Sequence, residues 1–317
     1  MSPTVSIIIP CYNEETTIQQ VIQSFRHELP HSTIIICDNN SDDNTAKVAK
    51  NNGAIVLFEK RQGKGHAVRR LFRYVQSDIT VMVDGDNTYD PKAIHLLIQK
   101  LISENLDMVC GSRKAVNTKA YRFGHSFGNR LFNHTVSFIF GKTFTDIFTG
   151  YRAFSHRFIS SFPSLTNGFD IETELSVHSL QLNLSTTEIP TNYFNRPEGS
   201  YSKLSTIKDG FLILSTIFSL LKNNKPNVLF NSLAILSTLF SFTFFMPILS
   251  KYIETGLVER LPTAILSGLL MIVAFIFFSI GLILQNITSL SLQHKNLCYL
   301  NIPRKQHDKE KTLHEPS

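Results

Sequence analysis

Ile79-Thr80-Val81-Met82-Val83-Asp84-Gly85-Asp86 is the stretch on which the fold turns. Five apolar or β-branched residues make a short strand, and polarity then reverses at once into a carboxylate, a glycine and a second carboxylate. A strand buried on both faces reads as such an uninterrupted apolar run, and ligands of open α/β sheets gather beyond the carboxyl ends of the strands. Two carboxylates there, with a glycine between them that lets a ligand approach the backbone, suit a hard cation such as Mg²⁺ or Mn²⁺. Its remaining positions are filled by water and phosphate oxygens. Taken alone, the string equally suits a solvated acidic turn.

Outward from this stretch the pattern repeats. Thr4–Ile9, Thr33–Cys37, Ala54–Leu57 and Met108–Cys110 read as further strands, with helix-length amphipathic stretches between them. Such alternation predicts a layered α/β domain with a mainly parallel sheet. The residues to inspect follow the strands: Cys11-Tyr12-Asn13-Glu14, Asp38 to Asp42, Asp84 to Asn87, and Gly111-Ser112-Arg113. Asp38, directly after Ile34–Cys37, is placed to accept hydrogen bonds from a base or ribose, whereas Asp42 or Asp43 reads as the N-cap of the next helix. Gly63-Lys64-Gly65 opens another helix in a manner suited to a phosphate, without the spacing of a full P-loop. Arg69, Arg70 and Arg73 further along read as a solvated basic face.

The chain has 317 residues, 43% hydrophobic and 18% charged. Residues 227–250 and 261–294 contain no Asp, Glu, Lys or Arg, gaps of 24 and 34 residues. About 20 apolar residues cross a bilayer core, which argues against a purely soluble protein. Spans are expected near 228–249 and 262–284, with a polar, interfacial or looped remainder after the second. Lys222 and Lys225 before the first gap, and Lys295, Arg304, Lys305, Lys309 and Lys311 after the second, place both flanks in the cytoplasm by the positive-inside rule. Neither expected span carries an ionisable residue of the kind that lines a transport path. Before the first gap, Leu204, Ile207, Phe211, Leu214, Phe218 and Leu221 form a helical stripe opposite Lys203, Lys208, Asp209 and Lys222. The stripe fits a helix in the headgroup plane or one facing a soluble core.

Val5–Ile9, ended by Pro10, is too short for a secretion signal. Cys11, Cys37, Cys110 and Cys298 lack metal-finger spacing and are expected to be reduced thiols. The excess of 31 basic over 25 acidic residues is local: residues 111–160 hold eight Lys or Arg against Asp146 alone. This segment expects a phosphate or lipid headgroup, not nucleic acid. Asp146 either orients Arg152 or Arg130, or contacts a ligand or acts as a base. Glu172 and Glu174, two apart, do not easily meet one ligand. His125, His134, His156 and His178 have no ligand spacing and read as structural.

Pro10-Cys11-Tyr12-Asn13-Glu14, Asp38, Asp84-Gly85-Asp86 and Gly111-Ser112-Arg113, in this order, resemble the family-2 glycosyltransferases of the GT-A (Rossmann-like) fold. Asp146-Ile147-Phe148-Thr149-Gly150-Tyr151-Arg152, Phe169 to Glu174 and Arg196 to Leu204 resemble the polyprenyl-phosphate sugar transferases, the group of dolichol-phosphate mannose synthase and its undecaprenyl-phosphate relatives. The resemblance divides the chain into a GT-A domain at 1–200, an interfacial helix at 201–225, a transmembrane hairpin at 226–290 and a tail at 291–317. It implies donor binding by Pro10, Tyr12, Glu14, Asp38, Lys64, Asp84, Gly85, Asp86 and Glu172, and Mg²⁺ or Mn²⁺ on Asp84 and Asp86. It assigns the acceptor phosphate to Arg113, Arg130, Arg152, Arg196, Ser202 and Lys203, and catalytic roles to Asp86 and Asp146. One departure stands out: relatives carry a glutamine metal ligand where this chain has Thr88.

The expected reaction is inverting transfer of a hexose from a nucleotide-diphosphate sugar, UDP-linked in preference to GDP-mannose, to undecaprenyl or dolichyl phosphate at a bacterial inner membrane. A homotetramer suits the resemblance. The alternatives are transfer to a lipid-linked saccharide or other membrane acceptor, and a silent scaffold whose hairpin binds a partner such as a flippase. A processive polysaccharide synthase is disfavoured, because those enzymes share a Q-x-x-R-W motif and this chain has no tryptophan.

Overall fold

A computed structural model of the chain describes residues 3–115, 136–141, 144–163, 171–195, 215 and 218–303. The chain forms two units, residues 1–210 with 295–317, and residues 211–294.

The larger unit is built on β1 (Val5–Cys11), β2 (Thr33–Asp38), β3 (Ile55–Phe58), β4 (Ile79–Met82), β5 (Met108–Ala115), β6 (Arg152–Ser155) and β7 (Thr186–Tyr193). They lie in the order β3-β2-β1-β4-β6-β5-β7. The five expected strands are all present. Neighbours β3, β2, β1 and β4 run parallel, as does β5 with β7. The strand β6, which no periodicity announced, inserts antiparallel between β4 and β5 and makes the sheet mixed. Ile7, Ile8 and Ile9 of β1 are each 0% exposed, as expected for a central strand covered on both faces.

Helices α1 (Ile18–Glu28), α2 (Thr45–Asn51), α3 (Lys64–Tyr74), α4 (Ala93–Ser103), α5 (His156–Ser161) and α6 (Ile171–Gln181) belong to this unit. α1 buries Ile18, Val21, Ile22 and Phe25, the i, i+3, i+4, i+7 stripe of a helix lying on a sheet. Tyr151 joins helix and sheet to the site: its ring meets Phe25 edge-on at 6.0 Å and Tyr89 at 5.3 Å.

His178 on α6 sits edge-on to Phe158 and Phe162, with ring centroids at 5.3 and 5.4 Å. Burial, aided by the charge of Lys295, pushes its pKa down to about 3, so the folded protein keeps it neutral. An unfolded histidine titrates near ~6.5. Between these values the unfolded chain binds the extra proton, and the His178 contribution to stability is lost as pH falls, at up to about 1.4 kcal/mol per pH unit. The expected result is that His178→Gln flattens the dependence of melting temperature on pH between pH 6 and 4, measured by circular dichroism. An unchanged slope would contradict it.

The smaller unit contains α7 (Pro226–Thr255) and most of α8 (Leu261–Leu300). Both are long and apolar enough to cross a membrane, at roughly 45 and 60 Å against a hydrocarbon core of about 30 Å. Ile235, Phe275 and Ile283 are 62%, 71% and 60% exposed, a pattern that suits lipid. Gly256, at φ +69°, ends α7 in the left-handed conformation that glycine adopts without strain. Where the two helices meet, a Cβ on Gly281 would stand 3.2 Å from Cβ of Phe230, and Ser241 Oγ donates to the Ser267 carbonyl at 2.7 Å.

The expected spans fall inside α7 and α8, but α8 does not loop near residue 284. It continues to Leu300, because no glycine or proline occurs between Gly281 and Pro303 and polar residues alone do not break a helix. Its last residues belong to the larger unit. There Tyr299 Oη donates to Asp107 Oδ2 at 2.8 Å, and the Arg157 guanidinium lies 3.8 Å from the centre of the Tyr299 ring. Of the expected interfacial helix, 218–224 is helical and 201–214 lies outside the described residues.

Candidate active site

β1 and β4 run side by side, with Ile8 opposite Met82, so the turns that leave them face one ligand space. The turns after β1, β2 and β4 each place an asparagine at positive φ: Asn13 at 53°, Asn40 at 61° and Asn87 at 57°. Asparagine tolerates this conformation better than other side chains. Thr17 Oγ1 donates to the Gly85 carbonyl at 2.7 Å and stands 3.2 Å from Glu14 Oε2, joining the first turn to the D-x-D turn. Gly85 packs closely, since a Cβ there would lie 3.0 Å from Cys11 Sγ. Pro10 is buried in β1 opposite Cys37.

Asp38 ends β2 at 4% exposure, and its buried Oδ1 has no hydrogen-bond partner among the described residues. Its neighbour Asn39 was not singled out by sequence. Its Nδ2 donates to the Glu59 and Arg61 carbonyls at 3.2 and 2.7 Å, and its Oδ1 accepts from the Gly63 amide at 2.7 Å. Asn39 thereby shapes the loop that delivers Lys64. From the same loop, Gln62 Nε2 donates to Tyr12 Oη at 3.3 Å. The N-cap of α2 is Asn44 and not Asp42 or Asp43; Asp43, one residue ahead of it, accepts from the Thr45 amide through Oδ1 at 2.9 Å.

At the head of α3, the Lys64 ammonium pairs with both Asp84 and Glu172. Burial alone would lower its pKa, but the two carboxylates outweigh that and raise it. Asp86 is 3% exposed. It accepts from the Thr88 amide at 3.3 Å and from Thr88 Oγ1 at 2.6 Å, so Thr88 orients the second carboxylate. Asp84 and Asp86 offer hard oxygen donors, and no group of three or more His, Cys, Asp or Glu poised for a metal occurs among the described residues. A pair of carboxylates completed by substrate phosphates and water fits Mg²⁺ or Mn²⁺ rather than a closed all-protein site.

Gly150 borders this pair. A Cβ there would stand 2.7 Å from Cγ of Asp84, while its amide donates to Tyr89 Oη at 2.9 Å. Gly150→Ala is therefore expected to displace Asp84 and lower the protein's turnover by about 10- to 100-fold, the range for disturbing groups that orient a metal-binding carboxylate. A turnover assay checks this, and activity within twofold of the parent would refute it.

Asp146 forms a bidentate pair with Arg113: Nε to Oδ2 at 2.7 Å and Nη2 to Oδ1 at 2.8 Å. Of the two partners expected for Asp146, Arg152 bonds elsewhere and Arg130 lies outside the described residues. Burial alone would lower the Arg113 pKa, but hydrogen bonding and charge from Asp146 raise it. Tyr193 lies beneath the guanidinium at 5.5 Å. Arg152, expected at the acceptor phosphate, is 0% exposed. Its donors go to the Thr149 carbonyl at 2.9 Å, the Ile147 carbonyl at 2.5 Å and Ser176 Oγ at 2.9 Å. It is an internal brace of the 147–150 turn, without a face open to a ligand.

Glu172 and Glu174 serve different partners, Lys64 and Arg69. Arg130, Arg196, Ser202 and Lys203 lie outside the described residues. Cys11, Cys37 and Cys110 are buried and unpaired, and Cys298 is exposed. Burial raises the Cys37 thiol to about 12 and the Cys110 thiol to about 11, which disqualifies both as nucleophiles.

Residues 6–162 match the family described as Glycosyl transferase family 2. Glycosyltransferase AglJ of Haloferax volcanii is 36% identical over 236 residues, covering 74% of this chain and 77% of the relative. The dolichyl-phosphate hexose transferase of the same organism is 26% identical over 212 residues, 67% of this chain and 91% of the relative. Among solved structures, glucosyl-3-phosphoglycerate synthase from Mycobacterium tuberculosis, crystallised with Mn²⁺, UDP-glucose and phosphoglyceric acid, shares the fold. It aligns with TM-score 0.55 and 22% identity, over 70% of this chain and 79% of that one. At the identity and coverage shared with AglJ, and on a mixed α/β sheet of the GT-A kind, the chain belongs to glycosyl transferase family 2.

Proposed function

We propose that this glycosyltransferase moves a hexose from a nucleotide-diphosphate sugar, a UDP-sugar in preference to GDP-mannose, to a polyprenyl phosphate at the cytoplasmic membrane face. The observation that carries the reading is the junction of Lys64, Asp84 and Glu172 beside Asp86 at the carboxyl end of the sheet, in a chain with two helices fit to cross a membrane. A relative named dolichyl-phosphate hexose transferase and the Mn²⁺ and UDP-glucose bound to the solved neighbour support it.

In this reading the partnerless Oδ1 of Asp38 receives a hydroxyl or imino hydrogen of the nucleoside, and Tyr12 and Glu14 complete that end. Asp84 and Asp86 would hold Mg²⁺ or Mn²⁺, which when bound would supply positive charge against the departing diphosphate. Lys64 adds a fixed positive charge, and Glu172 orients it. The acceptor monoester has a second pKa near ~6 and is largely dianionic at neutral pH, so no strong base is needed. Arg113, held in line by Asp146, orients that phosphate. Arg130, Arg196, Ser202 and Lys203 are assigned the same anion. Asp146 then acts through Arg113 and not as a base. Family membership favours inversion at the anomeric carbon.

Membranes containing the protein, offered radiolabelled UDP-glucose, UDP-N-acetylglucosamine or GDP-mannose with undecaprenyl or dolichyl phosphate, should yield a label in a mild-acid-labile polyprenyl monophosphate sugar. The product should require Mg²⁺ or Mn²⁺. Label confined to longer glycans, or none with any donor, would overturn the proposal.

A further inference from the structure

Beyond Lys64, α3 carries His66, Arg69, Arg70 and Arg73, spacings that set these side chains along one helix face. With Glu59 and Arg61, which follow the edge strand β3, they line a cavity of about 340 Å³, within the range of small-ligand sites. Leu57 and Tyr74 add apolar wall, whereas Asp38, Asp84 and Asp86 do not border it. The cavity is therefore not the cleft assigned to the donor.

Its charge is lopsided. Four guanidinium groups and an imidazole face one carboxylate. Glu59 serves two of the arginines, with Oε1 at 3.1 Å from Arg61 Nε and Oε2 at 4.0 Å from Arg70 Nη1. Hydrogen bonds from Arg61, helped by the charges of both arginines, hold its carboxyl below the usual range. Arg69 is fixed from behind by Glu174, Nη2 to Oε2 at 2.6 Å, with side chains 9% and 5% exposed. The carboxylates of Glu59 and Glu174 hold the guanidinium groups of Arg61, Arg70 and Arg69 in place around the space. Several planar donor forks around a cavity match a phosphate group, which presents three acceptor oxygens and up to two charges.

We propose that the cavity between α3 and β3 is a second anion site, distinct from the donor cleft, that takes the phosphate group of a small phosphorylated molecule. The same chemistry arrives as a free phosphate compound or as a lipid headgroup, and two probes separate them: inorganic pyrophosphate and dihexanoyl phosphatidic acid.

Calorimetric titration of the full chain in neutral detergent with EDTA should give one bound anion per chain for at least one probe. Arg70 and Arg73 are exposed, so Arg70→Glu/Arg73→Glu should weaken binding at least tenfold without unfolding the protein. The milder Arg70→Gln/Arg73→Gln pair covers the case in which charge reversal disturbs the fold. Asp86→Ala should bind as the parent does. Preference for pyrophosphate identifies a soluble ligand, and preference for phosphatidic acid a headgroup; both uphold the site. Unchanged binding in the folded double variants, loss of binding in Asp86→Ala, or no binding of either probe would overturn it. A failed donor screen would leave this result untouched, because the titration does not depend on turnover.

Discussion

If the proposed reaction holds, Asp86→Ala and Asp86→Asn should both lower sugar transfer by about three orders of magnitude, near 4 kcal/mol of transition-state stabilisation, the scale expected for losing a carboxylate that would hold a metal. The two substitutions separate charge from structure. Asp86 Oδ1 accepts two hydrogen bonds from Thr88 in a place where Thr88 is 0% exposed. Asparagine keeps an oxygen for these donors, whereas alanine leaves them unmet at about 1–3 kcal/mol. The expected pattern is equal loss of activity with a lower melting temperature for alanine alone, measured by radiolabel transfer and circular dichroism. An asparagine variant retaining a tenth of the parental rate would show that the negative charge is dispensable.

The second large effect concerns Arg152. Its side chain is fully buried and donates to two carbonyls and a hydroxyl. Arg152→Ala strands those acceptors and opens a cavity, and at about 1–3 kcal/mol for each orphaned group the cost is about 4 kcal/mol. For a domain of this size that corresponds to a fall in melting temperature of roughly 10 °C. Arg152→Lys preserves the charge but not the fork and should recover only part. A residue that bound the acceptor phosphate would behave in the opposite way, raising the acceptor KM with the melting temperature unmoved. That outcome would restore Arg152 to the ligand.

Both predictions mark the boundary of what the chain discloses locally. The places of Asp38, Asp84 and Asp86 at or just beyond strand ends were legible because strand and turn are short-range patterns, and a carboxylate directly after an apolar run is placed by its own neighbours. The two long helices were legible because a stretch without charge needs no tertiary information. Arg152 was not: it occupies a four-residue strand inside a strongly basic segment, and only the antiparallel insertion of β6 takes it out of reach of solvent. Asp146 with Arg113, 33 positions apart, and Arg69 with Glu174, 105 positions apart, are products of topology. Their partners could not be chosen by spacing. Asn39 was hidden for another reason, since an Asx-rich turn reads the same whether its side chain meets solvent or staples a loop.

The seat of Tyr299 bears on how this protein is shortened for crystals or assays. A chain cut ahead of α7 discards Tyr299 along with the apolar helices, although Tyr299 is 7% exposed and its hydroxyl satisfies Asp107. Asp107 also receives Ser155 Oγ at 3.3 Å and the Ser185 amide at 3.3 Å, so truncation would unseal a cluster that ties together the chain near β5, β6 and β7. A water-soluble version is better made by deleting residues 226–294 and splicing the segment from Lys295 to Pro303 back on through a flexible linker. The plug then returns without the greasy shaft that delivers it.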